Sequence, residues 1–431
     1  MSWIAVAVLT LSFVVLLVVG VPIAFCIGIS TALTMLLSVE SLPVMTTVAQ
    51  RVATSLDSFT LLAIPFFILA GQLMNRGGIA RRLVDFAKSL LGMLPGGLAF
   101  VNIVAAMLFG AVSGSAVAAA SAVGGFMGPQ MKAEGYDKNF SAAVNVTSAT
   151  TGLLIPPSNV LIVYSLASGG VSIAALFLAG YLPGILVGLS LMAVAGIWAY
   201  REDYPTSDRV PLRTALWRFL DALPSLFMLV VVIGGIVAGV FTATEAAAIA
   251  VLYALVLAVF YQEIDWNDLY GVLLETVNTS AIVLLLVGTS IAMSWVLSYE
   301  MIPQGVASAL VGLTDSTWGL LLIINALLLA VGTFMDITPA ILIFTPIFLP
   351  IVTELGISPV QFGIILVLNL SVGLCTPPVG TVLFVGAAVG DTTISRMVRP
   401  LLPLFLAMIA ALLAVTFVPE LSTWLPHVFG Y

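Results

Sequence analysis

Residues 147–159 read TSATTGLLIPPSN and lie within apolar sequence long enough to cross a membrane. A transmembrane helix cannot pass through them unbroken. Three threonines, two serines, a glycine and the adjacent Pro156 and Pro157 share this one stretch. Proline removes a backbone donor and clashes with the preceding turn, so two in succession free several carbonyls at once. Bare carbonyls at membrane depth are tolerated only where protein buries them or where they line a cavity. There they are good ligands for a small cation.

The same device recurs. A shift of 221 residues lays Pro156 and Pro157 on Pro377 and Pro378, inside Ser371 to Thr381, SVGLCTPPVGT. Without a gap, the same shift pairs Pro129 with Pro350, Gly135 with Gly356, Val146 with Val367, Gly152 with Gly373, Leu153 with Leu374 and Gly169 with Gly390. The chain reads as an internal duplication. Broken apolar segments at matching places in two halves are the best sequence pointer to the binding site of a secondary transporter.

Composition sets the class. Of 431 residues, 61% are hydrophobic and 8% charged, and the mean hydropathy is +1.22, far outside the range of soluble domains. The chain is expected to be a polytopic, all-α membrane protein. Trp3 to Gly20 has neither a basic n-region nor a small-residue cleavage site, so it reads as a retained span. Cys26 and Cys375 both sit in apolar sequence, which argues against a disulfide. The net charge of −7 is spread over loops, and no basic cluster suggests nucleic acid.

Taken in order, Trp3 to Gly20 and Pro22 to Leu37 read as a first pair of spans, Leu42 to Phe59 as an interfacial amphipathic helix, Thr60 to Met74 as a third span and Ile79 to Leu94 as a second amphipathic helix. Leu98 to Gly110 and Ala116 to Met127 are apolar arms joined at Ala111 to Ser115. Two full crossings or one re-entrant hairpin would both return the chain to the same side, and the polar joint favours a tip buried in protein. The broken segment Phe140 to Ala167 and a span from Ile173 to Tyr200 close the half, and Arg201 to Arg218 reads as a charged loop.

The second half repeats the order. Ala222 to Phe241 and Ala243 to Phe260 read as spans, with Thr242 and Glu245 spaced as a capping box between them. Gln262 to Val277 reads as interfacial, Asn278 to Leu297 as a span and Met301 to Leu313 as a short amphipathic piece. Arms Trp318 to Ala330 and Ala340 to Ile351 flank a polar tip at Gly332 to Thr338, before the broken segment Gln361 to Ala388 and a last span, Pro400 to Val418. The resulting division is a first repeat over residues 1–200 (hairpin 96–132, broken helix 138–168) and a cytoplasmic linker over 201–221. A second repeat covers 222–420 (hairpin 316–351, broken helix 359–390), and residues 421–431 form a periplasmic tail.

Five crossings in the first half put the start of the second half on the opposite side, so the repeats are expected to be inverted. With the N-terminus outside, twelve of the thirteen basic residues, Arg209 among them, face inside and only Arg51 faces outside. The positive-inside rule then places both termini on the outer face.

Ser113, Gly114 and Ser115 offer two hydroxyls and a close backbone approach. Alone they would suit ordinary helix packing; facing Thr150, Thr151, Ser158 and Asn159 in the break, they suit a cation site. The second tip sets Thr333, Asp336 and Thr338 against Ser371, Thr376 and Thr381. Asp336 is the one carboxylate that the span assignment puts well inside the membrane, at a cost of about 2.5–3.5 kcal/mol on insertion scales. Bound sodium or a proton would compensate it, and a structural hydrogen bond is the plainer alternative. Glu245 reads as a cap, Asn145, Asn278, Asn325 and Asn369 as interhelical hydrogen-bonding groups, and Gly124 with Gly128 as close packing. His427, the only histidine, has no expected role.

An intramembrane hydrolase needs a Ser-His pair, an HExxH site or paired aspartates, and ATP coupling needs a GxxxxGK[ST] loop. The chain has none of these, so no enzyme activity is expected. A channel fits less well than alternating access, because channels usually assemble one pore from several short subunits.

The blocks SGSAVAAASAVGGFMGPQM, GYDKNFSAAVNVTSATTGLLIPPSN, GTFMDITPAILIFTPIFLPI and GLCTPPVGT resemble the large membrane subunit of tripartite ATP-independent periplasmic (TRAP) transporters, and the resemblance runs from first span to last. It implies an elevator-type transport domain, made of the two hairpins and two broken helices, moving against a scaffold of the remaining spans with interfacial arm helices. It also implies sodium-driven uptake, in a bacterial inner membrane, of an organic acid such as a C4-dicarboxylate or sialic acid. Partners would be a periplasmic substrate-binding protein and a small four-helix membrane subunit, here expected as a separate polypeptide.

Carried onto this sequence, the resemblance implies two or more sodium ions and no organic cofactor. One sodium site would combine Ser113, Gly114 and Ser115 with Thr150, Thr151, Pro156, Ser158 and Asn159. Another would combine Gly332, Thr333 and Asp336 with Gly373, Thr376, Pro377, Gly380 and Thr381. Substrate would lie between the tips, near Ser115, Asn159, Thr338 and Thr381. A proton-coupled symporter, or one that works without a binding protein, is the alternative.

Overall fold

A computed structural model describes residues 3–205, 211–312, 314, 316–377 and 379–431. Arg209 of the charge count and Pro378 of the second proline pair lie outside the described residues. Among those described, all regular structure is helical. The first half runs α1 (Trp3–Val19), α2 (Ile23–Met35), α3 (Ser41–Leu56), a 3-10 turn into α4 (Ala63–Arg76), α5 (Ile79–Leu91), α6 (Gly97–Ser113), α7 (Ala116–Ala133), α8 (Lys138–Thr151), α9 (Asn159–Ala167) and α10 (Ile173–Arg201). The second half runs α11 (Leu212–Val237), α12 (Ala243–Phe260), α13 (Trp266–Tyr299), α14 (Ile302–Val311), α15 (Thr317–Phe334), α16 (Ile337–Glu354), α17 (Pro359–Gly373), α18 (Thr381–Val389), α19 (Ile394–Phe417) and α20 (Glu420–Val428). Among the described residues, eight helices are long and apolar enough to cross a membrane, or nine if α8 and α9, bent by 51° at their junction, make one span.

Local chemistry explains the boundaries. Asp137 caps α8 by accepting from the Asn139 and Phe140 amides at 2.9 Å, and the Thr242/Glu245 capping box opens α12 as its spacing requires. The break after Thr151 is a short 3-10 turn, Gly152–Leu154, followed by extended backbone at Ile155 and Ser158.

Three boundaries differ from the sequence expectation. The charged stretch read as a loop and linker is helical from Leu212 onward. There Leu212, Leu216 and Leu220 recur every four residues and Pro211 stands at the N-cap, a pattern that the charges of Arg213 and Arg218 masked. The separate interfacial stretch and span at 262–297 are one helix, α13; no proline interrupts it, and 34 residues reach about 50 Å, well beyond the roughly 30 Å hydrocarbon core. The C-terminal tail is a helix, α20, that packs on α10 and buries Ser422 and Pro426.

Packing repeats the duplication. α6 lies on α8 as α15 lies on α17. At the first crossing a Cβ on Gly152 would come within 2.5 Å of the Gly110 Cα, and at the second a Cβ on Gly373 would come within 2.6 Å of the Gly332 Cα. Each crossing also has a buried amide bond from arm to broken helix: Asn102 Nδ2 donates to Ser148 Oγ at 3.1 Å, and Asn369 Nδ2 donates to Asn325 Oδ1 at 2.7 Å.

The halves then clasp each other reciprocally. α9 packs on α16 and α18 on α7; α10 packs on α17 and α19 on α8; α4 packs on α12 and α2 on α13. Each element meets the partner of its own counterpart, which is the pattern a pseudo-twofold relation produces.

Candidate functional site

Both hairpin tips are tighter than the sequence suggested. α6 continues through Ser113, leaving only Gly114, at φ +63°, and Ser115 outside the helices. Ser115 Oγ accepts from the Ala118 amide at 3.2 Å and so caps α7. A side chain at Gly114 is excluded, since its Cβ would lie 2.6 Å from Asn159 Nδ2. The first tip therefore sits directly on the start of α9.

At the second tip α15 continues through Phe334, and Asp336 caps α16, its Oδ1 accepting from the Ile337 amide at 2.9 Å. The Gly380 amide donates to the Thr333 carbonyl at 2.9 Å, lacing this tip to the start of α18. The two broken helices resume alike, Asn159 being the first residue of α9 and Thr381 the first of α18. Among the described residues, Asn159 Oδ1 and Thr381 Oγ1 are both buried without a hydrogen-bond partner.

One cavity of about 610 Å³ joins these parts. Of the residues singled out from sequence, Ser113, Gly114, Ser115, Asn159, Asp336, Thr338 and Thr381 form its wall. Asp336 is exposed to it and makes no salt bridge among the described residues. The other residues lie behind the wall. The Thr150, Thr151 and Ser158 hydroxyls donate to the carbonyls of Thr147, Ser148 and Leu153, and those of Thr333 and Thr376 to Ala330 and Val372. Gly332 and Gly373 make the helix crossing, while Pro156, Pro377 and Gly380 lie in the breaks themselves.

The opposite wall is one the sequence reading missed. α4 contributes Gln72 and Asn75, and α13 contributes Glu275 and Thr279. These pairs stand three and four residues apart, a helical spacing that puts each pair on one face of an otherwise apolar helix. That spacing was a usable signal. Glu275 also pairs with Arg76 at 3.1 Å at the end of α4.

The arrangement has a definite chemical character. Among the described residues lining the cavity, Glu275 and Asp336 are acidic and none is basic, while the other polar side chains carry hydroxyls or amides. Four helices, α7, α9, α16 and α18, begin at the cavity, and helix starts carry unpaired amides and about half a positive charge. Anions are welcome there without any arginine.

The sequence model described as "Tripartite ATP-independent periplasmic transporter, DctM component" matches residues 10–421. The chain is 57% identical over 97% of its length to an uncharacterized protein, YgiK, of Salmonella typhimurium, of which it covers 96%. It is 42% identical, over 95% of its length, to the isethionate TRAP transporter permease protein DctMQ of Oleidesulfovibrio alaskensis, covering 64% of that protein. It is 38% identical, over 97% of its length, to the C4-dicarboxylate TRAP transporter large permease protein DctM of Rhodobacter capsulatus, covering 98% of it. The crystal structure of the Alcanivorax borkumensis YdaH transporter shares the fold at a TM-score of 0.67, with 16% identity and coverage of 98% of this chain and 99% of that one.

Proposed function

The chain belongs to the TRAP transporter large permease family, and from that premise we propose that it carries an organic anion into the cell together with sodium, by an elevator movement of the two hairpins and two broken helices against the remaining spans. The family is one of multi-pass inner-membrane transporters that work with a substrate-binding protein and a small membrane subunit. For this chain we extend that to a periplasmic binding protein delivering the anion and a small subunit bracing the scaffold.

The observation that carries the reading is the shared cavity, lined on one side by both tips and the starts of α9 and α18 and on the other by α4 and α13. A cavity walled by two bodies is what a moving domain and a fixed one create between them. Sodium fits its donor set, since among the described residues Asn159 Oδ1 and Thr381 Oγ1 lack partners and Asp336 faces the cavity with no salt bridge. Sodium ions beside the substrate would supply the positive charge that side chains there do not, while the helix starts of α9 and α18 receive the anion itself.

In this reading the repeats are inverted and the termini periplasmic. The cavity wall reaches Asn75 and Glu275, beside Arg76, which the positive-inside rule assigns to the cytoplasm. The conformation is then inward-facing. The substrate is an acid; the names of the relatives cover a carboxylate and a sulfonate, and the hydroxyl and amide lining suits an acid that carries hydroxyls.

Uptake by proteoliposomes containing the chain, its small subunit and its binding protein tests the coupling. An imposed sodium gradient should drive accumulation and a proton gradient alone should not. The reverse result would replace sodium by a proton carried on Asp336, a second reading supported by the exposed carboxylate, which makes no salt bridge among the described residues.

A further inference from the structure

The ends of the hairpin and broken helices remote from the tips enclose a second cavity, of about 260 Å³, between α6, the last turns of α7, the first turns of α8 and the end of α18. It shares no lining residue with the first. Two of its walls are buried asparagines, Asn102 at 1% and Asn145 at 3% exposure. Their amide orientations are fixed by their donors. Asn145 Nδ2 bonds the Ala120 carbonyl at 2.7 Å, and Asn102 Nδ2 bonds Ser148 Oγ at 3.1 Å, whose own proton goes to the Asn145 carbonyl. Both Oδ1 atoms are left without a partner among the described residues. An unpaired buried acceptor is costly to leave unmet, so a group that brings N–H or O–H donors belongs against them.

The rim has the opposite polarity. Lys132 is exposed at the end of α7 and makes no ion pair among the described residues. Lys138 bonds the Asp391 carbonyl at 2.7 Å, with the Asp391 carboxylate 3.8 Å away. A bare metal cation would be repelled by these lysines, and a simple anion would leave the asparagine oxygens unmet. The ligand needs donors at its inner end and negative charge at its outer end. The volume lies below the roughly 300 Å³ at which sites for drug-sized ligands begin, so the occupant is a small group. The two glycines of this wall differ: a Cβ at Gly124 would strike Asn145 Nδ2 at 2.2 Å, so Gly124 lets α8 approach, whereas one at Gly128 would meet nothing within 4 Å.

We propose that this cavity binds a phosphate ester carrying an ammonium or hydroxyl group, with the donor end on Asn102 and Asn145 and the phosphate on Lys132 and Lys138. Two sources share that chemistry: the headgroup of a membrane glycerophospholipid and a free, water-soluble ester.

Native mass spectrometry of the purified full chain separates them. The lipid probes are phosphatidylethanolamine, phosphatidylglycerol and phosphatidylcholine, and the soluble probes are phosphoethanolamine and glycerol phosphate. Retention of the first two lipids over phosphatidylcholine, whose headgroup has no N–H or O–H, assigns a lipid; binding of the soluble esters with no such lipid preference assigns a free ligand. In either case Gly128→Leu, which fills the space, and Lys132→Ala, which alters only an exposed side chain, should each weaken binding about tenfold with the melting temperature unchanged. Equal retention of phosphatidylcholine without binding of the soluble esters, unaltered binding by both variants, or a cavity that holds water alone would overturn the proposal. The readout is independent of what the chain transports.

Discussion

A single carboxylate sets the terms of the site. Asp336 caps α16 through one amide bond and otherwise faces the large cavity. Contacts of a charged group are worth about 1.5–3 kcal/mol, so Asp336→Asn, which keeps the shape, should lower sodium-driven uptake roughly ten- to hundredfold at limiting sodium while membrane insertion is unchanged; uptake against sodium concentration measures it. The helix crossings depend on single glycines in the same way. A methyl group at Gly152 or Gly373 would meet backbone carbon at 2.5 or 2.6 Å, and backbone cannot swing aside as a side chain can. Gly152→Ala and Gly373→Ala are each expected to cost about 1–3 kcal/mol, read as lowered melting temperatures in detergent. Equal losses at the two sites would show that both halves rely on the same contact.

Among the elements, the broken helices were the most legible, because a proline pair and a cluster of hydroxyls leave a helix no alternative at Ile155 to Ser158. Long helices were less so. The polar residues of α13 near Glu275 read as an interfacial segment, yet nothing in the backbone stops the helix there, and Glu275 finds a polar cavity and Arg76 to face. The N-terminus of α12 shows sequence spacing at its most direct. Thr242→Ala removes the side-chain oxygen that accepts from the Glu245 amide, which should cost about 0.5–2 kcal/mol and lower the melting temperature without altering uptake per folded molecule.

At the scale of the whole molecule, the two halves do not sit side by side as independent lobes. Reciprocal packing of α9 on α16 and of α18 on α7 means that each hairpin is supported by the other half's broken helix, so neither half could form its part of the cavity alone. The proposed inverted topology makes a claim about sides. In spheroplasts, a cysteine placed at Glu420 should react with an impermeant maleimide, whereas one placed at Glu202 should react only after the membrane is opened. Labelling of both from the same side would remove the inversion.

Hydropathy, the repeated proline pair and the polar tips were enough, by themselves, to determine a duplicated helical membrane protein and to mark Ser113 to Ser115, Asn159, Asp336, Thr338 and Thr381 as candidate site residues. Such features act locally: they decide where a helix starts, breaks or buries a polar group, whatever it packs against. Only the tertiary structure decided that both tips open on one cavity, that Gln72, Asn75, Glu275 and Thr279 supply its far wall, and that Thr150, Thr151, Thr333 and Thr376 turn their hydroxyls inward to backbone carbonyls. Those outcomes depend on which helices meet and at what rotation. That is set by the close approach of Gly110 to Gly152 and of Gly332 to Gly373, contacts between residues far apart in the chain.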